Sequence, residues 1–142
     1  MTDNKVYLGQ NGFETVQVNR ADGLGVSEIK KLGIEQIIIS SETNPVVSTR
    51  AKKLGILCLQ GIKDKKKSLK NYCKNNNIYL ENVIYVGNDV NDKEVMEIVG
   101  FTCCPSDAHD SIKNLSDNIL KTKGGNGVIR ELLDYIIKKK GD

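Results

Sequence analysis

Four short apolar runs, each followed by a stretch of helical length, constrain this chain more than any other feature. They are Gln36 to Ile39, Gly55 to Leu59, Val83 to Val86 and Gly100 to Cys104. A run of three to five apolar, largely β-branched residues without alternation is the pattern of a strand buried on both faces of a parallel sheet. Parallel neighbours need a crossover, and the intervening segments read as helices. Asn44-Pro45 opens one that runs to Leu54, with Asn as cap and Pro at the first helical position. Lys63 to about Lys74 is the next, ended by Asn75-Asn76-Asn77, and another lies near Asp92 to Ile98. Ser111 to Leu115 makes a helical turn or two, and Asn118 to Leu120 a last short strand. Gly127 to Lys139 closes as an amphipathic helix with Val128, Leu132, Leu133, Ile136 and Ile137 inward.

Ahead of this core, Leu24, Ile29 and Leu32 fit a helix that Gly33 stops. Lys5 to Leu8 and Phe13 to Val18 flank Asn11-Gly12, a hairpin signal because both residues accept positive φ. The expectation is a single α/β domain over 1–142: a three-layer Rossmann-like sandwich with a parallel sheet and right-handed crossovers, a hairpin at about 5–18, and a βα core at about 23–139.

The length of 142 residues suits one domain, and no apolar run approaches the ~18 residues of a membrane-spanning helix. The polar start, Met1 to Lys5, has no apolar targeting region, so a cytoplasmic protein is expected. The net charge of +3 rests mostly on lysines, which lack the planar fork that reads base edges. With five Tyr, two Phe and no Trp to stack on bases, the composition argues against a nucleic-acid partner. Four cysteines form no C-x-x-C pair. Cys103 and Cys104, adjacent on a strand, would point to opposite faces, so reduced, buried thiols are expected rather than a zinc site.

Folds of this kind bind ligands at the carboxyl ends of their strands. Ser40-Ser41-Glu42 could hold a phosphate oxygen or simply cap a turn. Gln60 to Lys65 could aim an ammonium at a phosphate or be a solvated lysine cluster. Val86-Gly87-Asn88-Asp89-Val90-Asn91-Asp92 carries the hard oxygen ligands of magnesium, or is an Asx-rich turn capping the next helix. Gly124-Gly125-Asn126-Gly127 before the last helix offers backbone amides to an anion, or is a flexible loop.

Taken in order, Thr2-Asp3-Asn4-Lys5, Asn19 to Gly25, Arg50 to Gly55, Gln60-Gly61, Tyr85 to Asp92, Asp107-Ala108-His109 and Gly124 to Glu131 resemble the haloacid-dehalogenase phosphatase superfamily. The resemblance is to its cap-less branch, which holds 3-deoxy-manno-octulosonate 8-phosphate phosphatase and the phosphatase-like C-terminal domain of acylneuraminate cytidylyltransferases. It implies that Ser40 and Lys65 hold phosphoryl oxygens and that Asn88, Asp89 and Asp92 form a magnesium loop. Glu42, Arg50, Lys53 and Asp22 fall at substrate-binding positions. Relatives assemble as tetramers through the hairpin, so a homotetramer is implied as well.

The chain also departs from that pattern. The family's Asp-x-Asp-Gly motif, with nucleophile and acid/base, precedes the Thr-Asp matched by Thr2-Asp3, so the first strand and its motif would lie before Met1. Asn88 stands where active relatives have Asp, a poorer ligand that implies weak or absent magnesium binding. Ser41-Glu42 replaces a Gly-Arg, which points to a nonulosonate-type, sialic-acid-like sugar phosphate. No phosphatase activity is expected of the chain as given. Its alternative role is a non-catalytic oligomerisation module associated with a cytidylyltransferase.

Overall fold

The computed structural model describes residues 1–141 and begins with the expected hairpin. Strands β1 (Tyr7–Leu8) and β2 (Glu14–Thr15) pair antiparallel, Tyr7 opposite Thr15 and Leu8 opposite Glu14. They are shorter than the apolar runs around them. Only Gly12 takes positive φ (79°), while the Gly9 carbonyl accepts from the Gly12 amide at 2.9 Å. The turn therefore uses one left-handed residue, not the two expected of Asn11-Gly12.

Helix α1 (Arg20–Lys31) is capped by Asn19, whose side chain accepts from the Ala21 amide at 2.8 Å. Its buried face is Asp22, Gly25, Val26 and Ile29, spaced i, i+3, i+4, i+7, so Leu24 is 59% exposed and belongs to the other side. The core then alternates as the apolar runs require. Strand β3 (Ile37–Ile39), α2 (Val46–Leu54), β4 (Leu57–Leu59) and α3 (Lys65–Asn75) come first. After these follow β5 (Ile84–Val86), α4 (Lys93–Met96), β6 (Phe101–Cys104), α5 (Asp110–Lys113), β7 (Asn118–Ile119) and α6 (Val128–Gly141). Asn44 caps α2 through the Val46 amide, and Gly55 ends that helix at φ 67°. The helix expected near Asp92 to Ile98 shrinks to α4, because a 3-10 turn at Val90–Asp92 takes up its start.

All core strand pairs are parallel. Among the described residues they form two sheets, β3 beside β4 and β5-β6-β7 with β6 central. β3 and β5 share no ladder, yet Tyr85 of β5 packs in one apolar cluster with Ile37 and Ile39 of β3. Strand β6 is buried on both faces. Cys103 joins the cluster of Ile29, Leu120, Val128, Leu132, Leu133 and Ile136, whereas Cys104 faces Met96, Ala108 and Ile112. All four thiols are unpaired. The dense seam is α1 against α6. There a side chain at Gly25 would come within 2.8–2.9 Å of the Ile129 and Arg130 backbone, so glycine sets how closely the helices approach. Ile137, expected inward, is 52% exposed beyond that seam. No helix among the described residues is long and apolar enough to cross a membrane.

Candidate functional site

Three strand-end segments meet at one place. After β3 the chain turns at Ser40, whose carbonyl accepts from the Ile62 amide at 2.9 Å, tying it to the loop that enters α3. Asp64 caps α3 through the Lys67 amide and sets Lys65 at its first position. Lys65 reaches the loop after β5, where Nζ donates to Asp92 Oδ1 at 2.7 Å. Asn91 Nδ2 closes the triangle by donating to Ser41 Oγ at 3.1 Å. The strands are short and partly buried, and the loops at their ends carry polar groups to a common rim.

Asp92 is the most heavily bonded of these groups. With 3% of its surface exposed, it takes Lys65 and the Tyr85 hydroxyl (2.8 Å) on Oδ1. Its Oδ2 accepts the Asn88 and Asp89 amides at 2.9 and 3.3 Å. Burial alone would push its pKa up. The Lys65 ammonium, the Asn88 amide and the Tyr85 hydroxyl outweigh that and hold the carboxyl below its usual range. Gly87 makes the room, since a side chain there would lie 2.6 Å from Met96 Sδ and 2.8 Å from Asp92 Cβ.

Ser40 caps its own turn and keeps one donor. Its Oγ accepts from the Glu42 amide at 3.1 Å as a turn cap, which leaves the hydroxyl proton free to donate. Lys65 has given Asp92 one of its three donors; its side chain is 10% exposed, and no other acceptor among the described residues engages it. Glu42 turns back on its own loop, with Oε1 accepting the Thr43 and Asn44 amides at 2.8 and 2.9 Å. Arg50 donates Nη2 to the Asn19 carbonyl at 3.1 Å, while Lys53 is exposed three residues on. No hydrogen bond joins either residue to the Ser40–Lys65–Asp92 cluster among the described residues.

Asp22, at a substrate-binding position by resemblance, has one oxygen engaged in the fold and one, Oδ2, without a partner among the described residues. It is 0% exposed, and Oδ1 accepts the Ile129 amide at 2.8 Å, capping α6 from across the α1 seam. The glycine run is also different from an anion cradle. The Gly124 amide is taken by Asp107 Oδ1 at 2.8 Å, and Gly124 and Gly125 pack closely on Thr2 and Asp3. His109 is a helix-start residue, its Nδ1 accepting the Ser111 amide and its own amide donating to the Asn88 carbonyl.

A cavity of about 150 Å³ adjoins the cluster, lined among others by Thr2, Asp3, Gly87, Asn88, Asp107 and Gly124. Asn88 belongs to both places, its residue lining the cavity and its amide holding Asp92. The oxygen set proposed for magnesium fits poorly. Asp92 is saturated by protein donors, Asp89 caps the Val90 amide at 2.7 Å, and no three His, Cys, Asp or Glu side chains converge among the described residues. Tyr85, Asn91 and Asp107 lie within segments quoted from the sequence, but none is given a role of its own there. A hydroxyl-bearing residue inside a short apolar strand was the one available signal for Tyr85.

Comparison with known proteins gives the family. A family model for haloacid dehalogenase-like hydrolases matches residues 26–132. The chain is 34% identical to the 3-deoxy-D-manno-octulosonate 8-phosphate phosphatase of Escherichia coli K12, over 99% of this chain and 76% of that one. It is 30% identical to N-acylneuraminate cytidylyltransferase A of Danio rerio, over 99% of this chain and 34% of that protein. The phosphatase of Moraxella catarrhalis, solved with magnesium ion, phosphate ion and a KDO molecule, superposes with a TM-score of 0.92. The two are 33% identical over 96% of this chain and 79% of the other.

Proposed function

Because this chain belongs to the haloacid dehalogenase-like hydrolase family, we propose that it is the phosphate-holding body of a sugar-phosphate phosphatase, for a carboxylated, nonulosonate-type substrate. The observation that supports this is the meeting of Ser40, Lys65 and the Asp92 loop at one rim. A free hydroxyl donor and two free ammonium donors beside a carboxylate that fixes the lysine make a receptor for a tetrahedral dianion. Ser40 and Lys65 bind phosphoryl oxygens, and Asp92 positions Lys65. Asn88 and Asp89 hold Asp92 through their backbone amides. The residues present do not compose a magnesium cage, so no step is routed through the metal.

The 142 residues contain no Asp-x-Asp pair, so the polypeptide on its own is inactive as a phosphatase. Catalysis then needs a strand carrying that motif, and the unshared edges of β3 and β5 are where it would pair. Glu42, Arg50 and Lys53 are the proposed contacts to the sugar acid. The four unpaired thiols suit a cytoplasmic setting. Orthophosphate titrated calorimetrically into the 142-residue chain tests the binding part. Saturable binding abolished by Ser40→Ala and Lys65→Ala supports it; no binding, or binding that survives both, removes it. Steady phosphate release from a sialic-type sugar phosphate by the same chain would contradict its inactivity.

The hairpin favours a second reading, a module that oligomerises a cytidylyltransferase. Tyr7, Leu8 and Phe13 are 70–75% exposed on a two-stranded ribbon that has too little core to be stable alone in water. A second copy covering that ribbon would complete it. Light scattering decides, since a monomer at micromolar concentration counts against this role.

A further inference from the structure

We propose that Tyr85 is a positioning residue for Lys65: its hydroxyl fixes the carboxylate of Asp92, and through it the direction in which the ammonium offers its remaining donors. The proposal rests on the phosphate-site reading of Lys65 only for its last link. Tyr85 Oη and Lys65 Nζ share a single acceptor, Asp92 Oδ1, at 2.8 and 2.7 Å. The other oxygen of that carboxylate is pinned by two backbone amides, so without Tyr85 the lysine would be the only donor on Oδ1.

The mount of the hydroxyl is rigid. Tyr85 lies on β5, and its side chain packs in two apolar clusters, one with Met96, Cys104 and Ile112 and the other with Ile37, Ile39 and Val95. A tyrosine clamped on both sides by apolar residues would be better replaced by phenylalanine if packing were its whole purpose, because burying a hydroxyl costs free energy unless it is bonded. Here the hydroxyl reaches the one carboxylate that holds the lysine. Burial and the Asp92 charge push the pKa of the Tyr85 hydroxyl up, so it stays a protonated donor throughout the neutral range. Asp92, Asn88, Asp89 and Lys65 are the polar groups that bond one another around it, and Lys65 is the only cation among them. A fixed carboxylate keeps the lysine from following its own counter-ion, which is what a preorganised anion site requires.

The test is Tyr85→Phe in the full 142-residue chain at constant neutral pH, with the Lys65 side-chain ammonium followed by nitrogen-15 NMR. Loss of the hydroxyl should move the Lys65 Nζ resonance, and orthophosphate affinity should fall on the order of fivefold, the worth of about one hydrogen bond. Replacing Tyr85 by 3-fluorotyrosine, a stronger donor of the same shape, should move the Lys65 resonance the other way. An unmoved Lys65 resonance in both variants overturns the proposal. A moved resonance with unchanged phosphate affinity overturns the link from Lys65 to phosphate. If the unsubstituted chain binds no orthophosphate, the phosphate-site reading fails, and the Lys65 resonance alone judges whether Tyr85 acts on Lys65 through Asp92.

Discussion

Lys65→Met leaves the carboxylate of Asp92 in place without its counter-ion, and its cost follows from the surroundings. Breaking a buried ion pair by removing one partner costs about 3–5 kcal/mol when the survivor is stranded. Asp92 is not stranded, because the amides of Asn88 and Asp89 and the hydroxyl of Tyr85 still donate to it. Each such bond to a charge offsets part of the loss, so about 2 kcal/mol is expected near neutral pH. The pH dependence carries a definite sign. The folded-state pKa of Asp92 is depressed, so its contribution is present above the unfolded carboxylate pKa of about 4 and is lost as pH falls through the folded value. Urea unfolding of both proteins from pH 7 down to pH 3 should show a gap that narrows in acid, where protonation of Asp92 relieves the variant first. A difference below about 0.5 kcal/mol at pH 7 would show that the pair is no more than a surface contact. A gap that does not change with pH would refute the assignment of the loss to Asp92.

Three further outcomes follow from the packing. Gly87→Ala should lose about 1–3 kcal/mol and weaken orthophosphate binding, because the added carbon meets Met96 and Asp92; thermal unfolding and calorimetry read both. Asp22→Ala should cost about 1–3 kcal/mol by orphaning the Ile129 amide, with phosphate affinity unchanged, since Asp22 has no exposed surface. Replacing Tyr7 and Phe13 together by Ser should reduce any oligomer to a monomer in light scattering, without changing the melting of the core.

The βα alternation was legible because it depends on local pattern. Runs such as Ile37-Ile38-Ile39 can be little but buried strand, and Gly55 at φ 67° ends α2 where a left-handed residue was needed. Errors came where a neighbour in space decides. Leu24 fits the helical period of α1, but the seam with α6 turns Gly25 and Asp22 inward instead. Asp22 reads as polar and available until its partner, Ile129, arrives from 107 positions away. Ser40, Lys65 and Asn88 could be picked out because each closes or follows a strand. The roles within the acidic loop could not, because Asp92 is claimed by Lys65, 27 positions earlier, and by Tyr85 from inside the strand. The separation of β3 from β5 is a property of pairing across the whole chain, which local pattern does not express.

The central claim is that the ends of β3 and β5 and the start of α3 form one receptor for phosphate. Amide chemical shifts of the isotopically labelled chain, followed while orthophosphate is added, test it most directly. Ser40, Ser41, Lys65, Asn88 and Asp89 should shift together along one saturating curve; shifts confined to the lysines of α3, or none at all, would contradict it.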